Sequence, residues 1–228
     1  KFLGDIPHTQ LSLVAVYINR IIFRNSILME MKKKEIHLIL KNSFSDEYIQ
    51  KKLLKLLQNA DIAIENIRLN DNKNEEKDNN LHLLSQHNMY SNGQIVGSAE
   101  LLFEDESTGT QELFNIGIMA ITSLETGTPF FVDELNNNLH PKLSKMLIQL
   151  FHDPESNPKN AQLIFTTHET TLLSKENFRK DQIWFTQKNI EGATELYSAQ
   201  DFDGVRDDIP FDKWYMAGKF GAIPRVKL

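Results

Sequence analysis

Apolar residues fall along this chain in blocks whose spacing alternates between helical and strand-like. From about Thr9 to Met31, Leu11, Leu13, Val14, Val16, Tyr17, Ile18, Ile21, Ile22 and Phe23 run without glycine or proline. That pattern predicts a buried or amphipathic helix. Ser43 or Ser45 is placed to cap a second helix ending near Asn59, with Ile49, Leu53, Leu54 and Leu57 on one face. Asp61–Leu69 reads as a strand with imperfect alternation, and the polar residues 70–80 as a loop or linker. Leu81–Gly97 carries no decisive period. From Leu101 a strand runs into the small-residue turn Ser107-Thr108-Gly109-Thr110. Leu113, Phe114, Ile116, Gly117, Ala120, Ile121 and Leu124 then keep helical spacing.

The sharpest contrast lies between Thr128 and Pro141. Phe130, Phe131 and Val132 form a short continuous apolar run, which suits a strand buried on both faces of a parallel sheet. It ends in two adjacent carboxylates, Asp133 and Glu134. Pro141 then opens a helix at the first-turn position it tolerates best, with Leu143, Met146, Leu147, Leu150 and Phe151 inward. After the turn residues Pro154, Asn157 and Pro158, Gln162–Thr166 forms a second apolar strand, completing a strand-helix-strand unit expected to cross over right-handed. The strand ends in Thr166-Thr167-His168-Glu169, which predicts His168 on the same sheet edge as the acidic pair. Two further strands are expected at Gln182–Thr186 and Thr194–Ser198. The tail from Asp201 is acidic, then aromatic and glycine-rich, and is expected to be irregular. It covers a core or docks a partner; the sequence does not choose.

Composition narrows the classes. The 228 residues are 40% hydrophobic, enough for one large domain or a core with an inserted lobe. No apolar run is long enough to cross a bilayer and no signal-peptide pattern opens the sequence, so no membrane partner is expected. The absence of cysteine removes disulfides, thiolate zinc sites and cysteine nucleophiles, and fits a reducing, cytoplasmic setting. A net charge of −6 argues against a surface that is basic throughout. A local basic groove, or nucleic acid reached through a partner, stays open. Lys32-Lys33-Lys34 reads as a solvated helix end.

The candidate chemistry centres on the acidic pair. At the C-terminal end of a parallel strand, where α/β sheets place their ligand crevices, Asp133 is suited to hold Mg²⁺ while Glu134 polarises an attacking water. This is the logic of a Walker B strand; the plain alternative is a solvated acidic turn. Ser107, Gly109 and Thr110 sit at a helix N-terminus that favours an anion, although a Ser/Thr cap explains the same residues. His82, His87 and Tyr90 read as surface residues. No Gly-x-x-x-x-Gly-Lys-Ser/Thr occurs, Gly218-Lys219-Phe220 being the nearest approach. Since the chain starts at Lys1 without this phosphate loop, we expect it to be the C-terminal portion of a longer protein.

The order Glu106-Ser107-Thr108-Gly109-Thr110, helix, Phe131-Val132-Asp133-Glu134, Leu139-His140-Pro141, strand, Thr166-Thr167-His168-Glu169 resembles the second half of an ABC/SMC-type ATPase head. More narrowly it is similar to the AAA-type ATPases of bacterial antiphage and restriction-linked systems, such as RloA, AbiL and the ATPase of PARIS. Those also carry Leu-His-Pro after the acidic pair and a closing segment like Tyr215 to Pro224. The resemblance covers residues 101–228 clearly and the first hundred weakly. It implies an α/β P-loop NTPase head with a mainly parallel sheet flanked by helices. Residues 1–100 would be a helical or inserted region, 101–200 the second half of the ATPase core, and 201–228 a tail.

The implied roles follow residue by residue. Ser107, Thr108, Gly109 and Thr110 would form the signature loop, touching the γ-phosphate of ATP held by another subunit. Asp133 would support Mg²⁺ and Glu134 would activate water. Asn136 to His140, with Asn138 and His140 among the nucleotide-contacting residues, would cross a dimer interface, and His168 would be the switch histidine. ATP and Mg²⁺ are the implied cofactors; a homodimer or higher homo-oligomer and an effector nuclease are the implied partners. The chain departs from the pattern in having Ser-Thr-Gly-Thr where transporters have Ser-Gly-Gly, and in the polar run Asn136-Asn137-Asn138. Two competing readings remain: a hydrolase using Asp133, Glu134, His140 and His168 directly on divalent metals, and a non-enzymatic scaffold.

Overall fold

A computed structural model describes residues 22–24, 70 and 82 (backbone only), 46–60, 63–69, 83–206 and 208–223. Packing divides the chain into two compact units, Lys1–Thr166 and Thr167–Leu228, so the boundary falls inside the stretch 101–200. In the first unit, β1 (Ile22–Arg24) is followed by α1 (Glu47–Asn59), β2 (Asn66–Asn70), β3 (His82–Ser91) and β4 (Gln94–Leu102). Then come α2 (Thr108–Thr126), β5 (Phe130–Val132), α3 (Pro141–His152) and β6 (Leu163–Phe165).

The expected parallel sheet is present, in the order β1-β5-β6. Its central strand buries Phe130 and Val132 almost completely, as a strand covered on both faces should. β1 overturns part of the first helix expected from the sequence. Ile22, Phe23 and Arg24 are extended and pair in parallel with Phe130, Phe131 and Val132. A short apolar run rich in β-branched and aromatic residues serves either state, and pairing with β5 decides it here. The rest of that expected helix lies outside the described residues, as do residues 71–80 of the expected linker.

Asp46, rather than Ser43 or Ser45 (both outside the described residues), caps α1, accepting hydrogen bonds from Tyr48 N at 2.9 Å and Ile49 N at 3.4 Å. Leu53, Leu56 and Leu57 are buried on one face, which packs on α2. Gly117 makes that approach close: a β-carbon there would stand 2.6 Å from Leu56 Cδ2 and 3.1 Å from Leu53 Cδ1. Lys52 and Glu125 pair across the same two helices.

β2, β3 and β4 form a separate antiparallel sheet. The block that showed no period is a hairpin, turned by Asn92 and Gly93 at φ values of 50° and 77°. That dipeptide suits a turn in which both central residues are left-handed. Arg68 grips Glu100 through two bonds of 2.7 and 2.6 Å on an exposed face of this sheet. Phe103, just past β4, is buried against Phe114 of α2 with ring centroids 4.6 Å apart. α2 itself ends at Gly127, whose φ of 70° is the left-handed geometry glycine supplies without strain.

α3 begins at Pro141 as expected, and buries Leu147, Ile148 and Phe151. The link from α3 to β6 is fastened by one buried carboxamide. Asn157 Nδ2 donates to Phe151 O and Ala161 O at 2.9 Å each, and its Oδ1 accepts from Ala161 N at 2.7 Å.

The second unit pairs β7 (Trp184–Lys188) with β8 (Thr194–Ser198) in an antiparallel hairpin. Ile190, in its turn, is fully exposed. The tail is not wholly irregular: α4 (Phe211–Met216) supplies the buried Phe211. The chain then doubles back, and Phe220 is buried against Phe185 with centroids 4.9 Å apart. Tyr197 Oη donates to Phe220 O at 2.8 Å, and Ala222 N donates to Gln187 Oε1 at 2.8 Å. Within its own unit the closing segment therefore covers a core, the first of the two roles left open for it. Among the described residues, no helix is long and apolar enough to cross a membrane.

Replacing Asn157 with alanine strands buried main-chain groups at three points. We expect Asn157→Ala to lower the unfolding free energy by about 2–4 kcal/mol, measured by urea denaturation.

Candidate active site at the end of the parallel sheet

The parallel register runs Phe130↔Leu163, Phe131↔Ile164, Val132↔Phe165. The next residues on the two strands are Asp133 and Thr166, and there the ladder turns into a clasp. Thr166 N donates to Val132 O, and Leu135 N donates to Thr166 O, both at 3.0 Å. The Thr166 hydroxyl donates to Asp133 Oδ1 at 2.7 Å and accepts from Glu134 N at 2.8 Å. Both acids are half-buried. Glu134 has a φ of 54°, a left-handed backbone that costs a residue with a β-carbon roughly 1–2 kcal/mol. The clasp around it holds that conformation.

The loop after the acids is anchored by Leu135 and Leu139, both buried. Asn137 N donates to Glu134 O at 2.9 Å, and Leu139 N donates to Asn136 O at 3.1 Å. Asn138 is also left-handed, with φ 56°, a conformation asparagine adopts more readily than most residues. Its carbonyl meets the turn before α2: a β-carbon built on Gly109 would lie 3.3 Å from Asn138 O. The small residue lets the two segments touch.

That turn is held from both sides. Ser107 caps α2, its Oγ accepting from Thr110 N at 3.2 Å and lying 2.8 Å from Thr110 Oγ1. Thr110 is buried, while Ser107 and Thr108 are exposed. The preceding Glu106 takes Ser85 Oγ at 2.5 Å and His87 Nε2 at 2.6 Å. His87, expected as a surface residue, is half of a tie between β3 and the turn. Gln111 Nε2 adds bonds to Glu104 O and Glu106 O at 2.9 and 2.8 Å.

Sequence reasoning missed Glu106 and Thr166 as site-shaping residues. Both stood next to residues it singled out, but nothing in spacing marks a side chain that bonds across strands. The structure brings Gly109, in the turn Ser107–Thr110, close to Asn138, and joins Asp133 and Glu134 to the same loop. His140 follows at the start of α3, exposed, its Nδ1 accepting from Lys142 N at 3.2 Å as the helix cap. His168 belongs to the second unit, where its side chain is exposed.

The family model for an AAA domain, described as a putative AbiEii toxin of a type IV toxin–antitoxin system, matches residues 16–174. The chain belongs to this AAA-domain family. No curated protein matches it. Among solved structures, an SMC ATPase studied for its ATP-driven dimerization and DNA-stimulated activation is similar at 15% identity, with a TM-score of 0.46. The similarity covers 72% of this chain and 88% of that one.

What the AAA domain can hold is set by its donors. Among the described residues, no three His, Cys, Asp or Glu side chains gather as a metal-binding group. Mg²⁺ needs no such group: it is held through one or two carboxylates and completes its shell with phosphate oxygens and water. Asp133 engages one oxygen with Thr166, and its other oxygen takes no part in that bond.

Ser107 offers a clean separation of roles. Ser107→Ala should cost the AAA domain about 0.5–2 kcal/mol of stability through the lost cap, read by thermal or urea unfolding. Ser107→Asp, which caps equally well but carries a charge, should keep stability yet weaken any ATP-dependent activity.

Proposed function

We propose that the protein is an ABC-type ATPase of antiphage defence, cytoplasmic, working as a homodimer or higher homo-oligomer and gating an effector nuclease. In this it would act like RloA, AbiL and the ATPase of PARIS. The observation that carries the reading is the acid turn: a buried parallel strand ending in Asp133 and a left-handed Glu134, clasped by Thr166. Such a turn fixes the Asp133 carboxylate and the Glu134 main chain in place, and fixed placement is what phosphoryl transfer asks of a protein.

Asp133 would hold Mg²⁺, which when bound neutralises charge on the β- and γ-phosphates. Glu134 would orient the attacking water and take its proton. The turn from Ser107 through Thr108 and Gly109 to Thr110 would meet the γ-phosphate of ATP held by another protomer, the N–H groups of Thr108 and Gly109 donating while that of Thr110 stays on the Ser107 cap. Asn138 and His140 would lie along the shared interface, and His168 would sense the γ-phosphate. The phosphate loop is not among these 228 residues, so the test needs the complete natural chain.

In that chain, Glu134→Gln should keep ATP binding but lower turnover by a factor of about a hundred to ten thousand. Near-normal steady-state hydrolysis would remove Glu134 from the mechanism.

Sharing of the site is tested by mixing. Gly109→Arg should block approach to a neighbour's phosphate while leaving the protomer's own ATP binding intact. A second variant with a disabled phosphate loop should bind none. Each alone should be inactive, and mixing them should restore activity, because one of the two composite sites then carries neither defect. If activity merely follows dilution while subunits exchange, the shared site is wrong.

A further inference from the structure

We infer that Thr166 is a positioning residue of the acid turn, setting the Asp133 carboxylate and the Glu134 backbone through a single hydroxyl; this rests on the ATPase reading above. The proton count closes. A threonine hydroxyl has one hydrogen, and it goes to Asp133 Oδ1 at 2.7 Å. The lone pairs then face outward to an N–H, and Glu134 N donates to the same oxygen at 2.8 Å. One atom thus reads the direction of the first carboxylate and the main-chain conformation of the second.

The arrangement does more than close a strand. The main-chain bonds of Thr166, its N–H to Val132 O and its carbonyl from Leu135 N, already continue the ladder without any side chain. The hydroxyl acts only on the two acids. It offsets the cost of the left-handed Glu134 by satisfying that residue's N–H, and without it the Glu134 peptide has less reason to stay turned. It also removes one oxygen of Asp133 from rotation. A residue that keeps the β-branched shape but lacks the hydroxyl should therefore preserve the strand and loosen both acids together.

Thr166→Val and Thr166→Ser in the complete chain separate these effects. Valine keeps shape and loses both side-chain bonds; serine keeps the hydroxyl and loses a methyl. With Mg²⁺-ATP we expect Thr166→Val to lower kcat by about 10–100-fold while KM for ATP stays within about threefold, and Thr166→Ser to recover most of the loss. Hydrogen exchange without nucleotide supplies a readout independent of activity: the Glu134 amide should exchange faster in Thr166→Val than in the wild type or Thr166→Ser. If valine prevents folding, Thr166→Ala loses the same two bonds and carries the same measurements. An unchanged Glu134 amide overturns the clasp. Unchanged turnover, or serine no better than valine, overturns the positioning role. Failure of the wild type itself to hydrolyse ATP would instead sink the ATPase reading, with amide exchange still judging the clasp.

Discussion

The parallel pairing of β5 with β6 is the constraint on which the rest of the site hangs. Its register sets Thr166 beside Asp133. A slip of one residue would offer the acids Phe165 or Thr167 instead, and would turn every side chain of β6 to the opposite face. Two features guard against such a slip. Phe130 and Val132 are buried on the central strand, so β5 has little freedom to move. Asn157 closes the link between α3 and β6 from inside, fixing how much chain lies between the two strands.

The same constraint extends to the turn before α2. Leu135 and Leu139 sink the loop after the acids into the core, and Asn138 then meets Gly109 at the opening of the helix. Glu106, tied to Ser85 and His87, fastens the other side of that turn to the antiparallel sheet. Two segments with different chemistry therefore come close at Gly109 and Asn138.

What the sequence revealed follows from which signals are local. Phe130–Val132 ending in two carboxylates, Pro141 opening a helix and Ser107 capping another are each written in neighbouring residues, and each is found in the structure. Ile22–Arg24 was misread because an apolar run does not carry its own pairing partner. The hairpin of β3 and β4 was obscured because nearly every position of β4 is exposed, leaving no alternation between buried and solvated faces. Its Asn92-Gly93 turn was the signal that should have outweighed this. Asp46 stood beside two serines equally able to cap α1, and only the backbone distinguishes them. The role of Thr166 was illegible for another reason. A threonine at a strand end is ordinary, and its bonds depend on a residue far away in sequence.

The two compact units meet in sequence at Thr166 and Thr167, one residue short of His168. The exposed turn of the β7–β8 hairpin bears on this boundary in a practical way. Ile190 touches solvent on all sides, and Ile95 near the Asn92-Gly93 turn is 60% exposed. These 228 residues contain no cysteine. A thiol placed at each position would be free of competing sulfur chemistry, so a pair of spin labels could report the separation of the units directly.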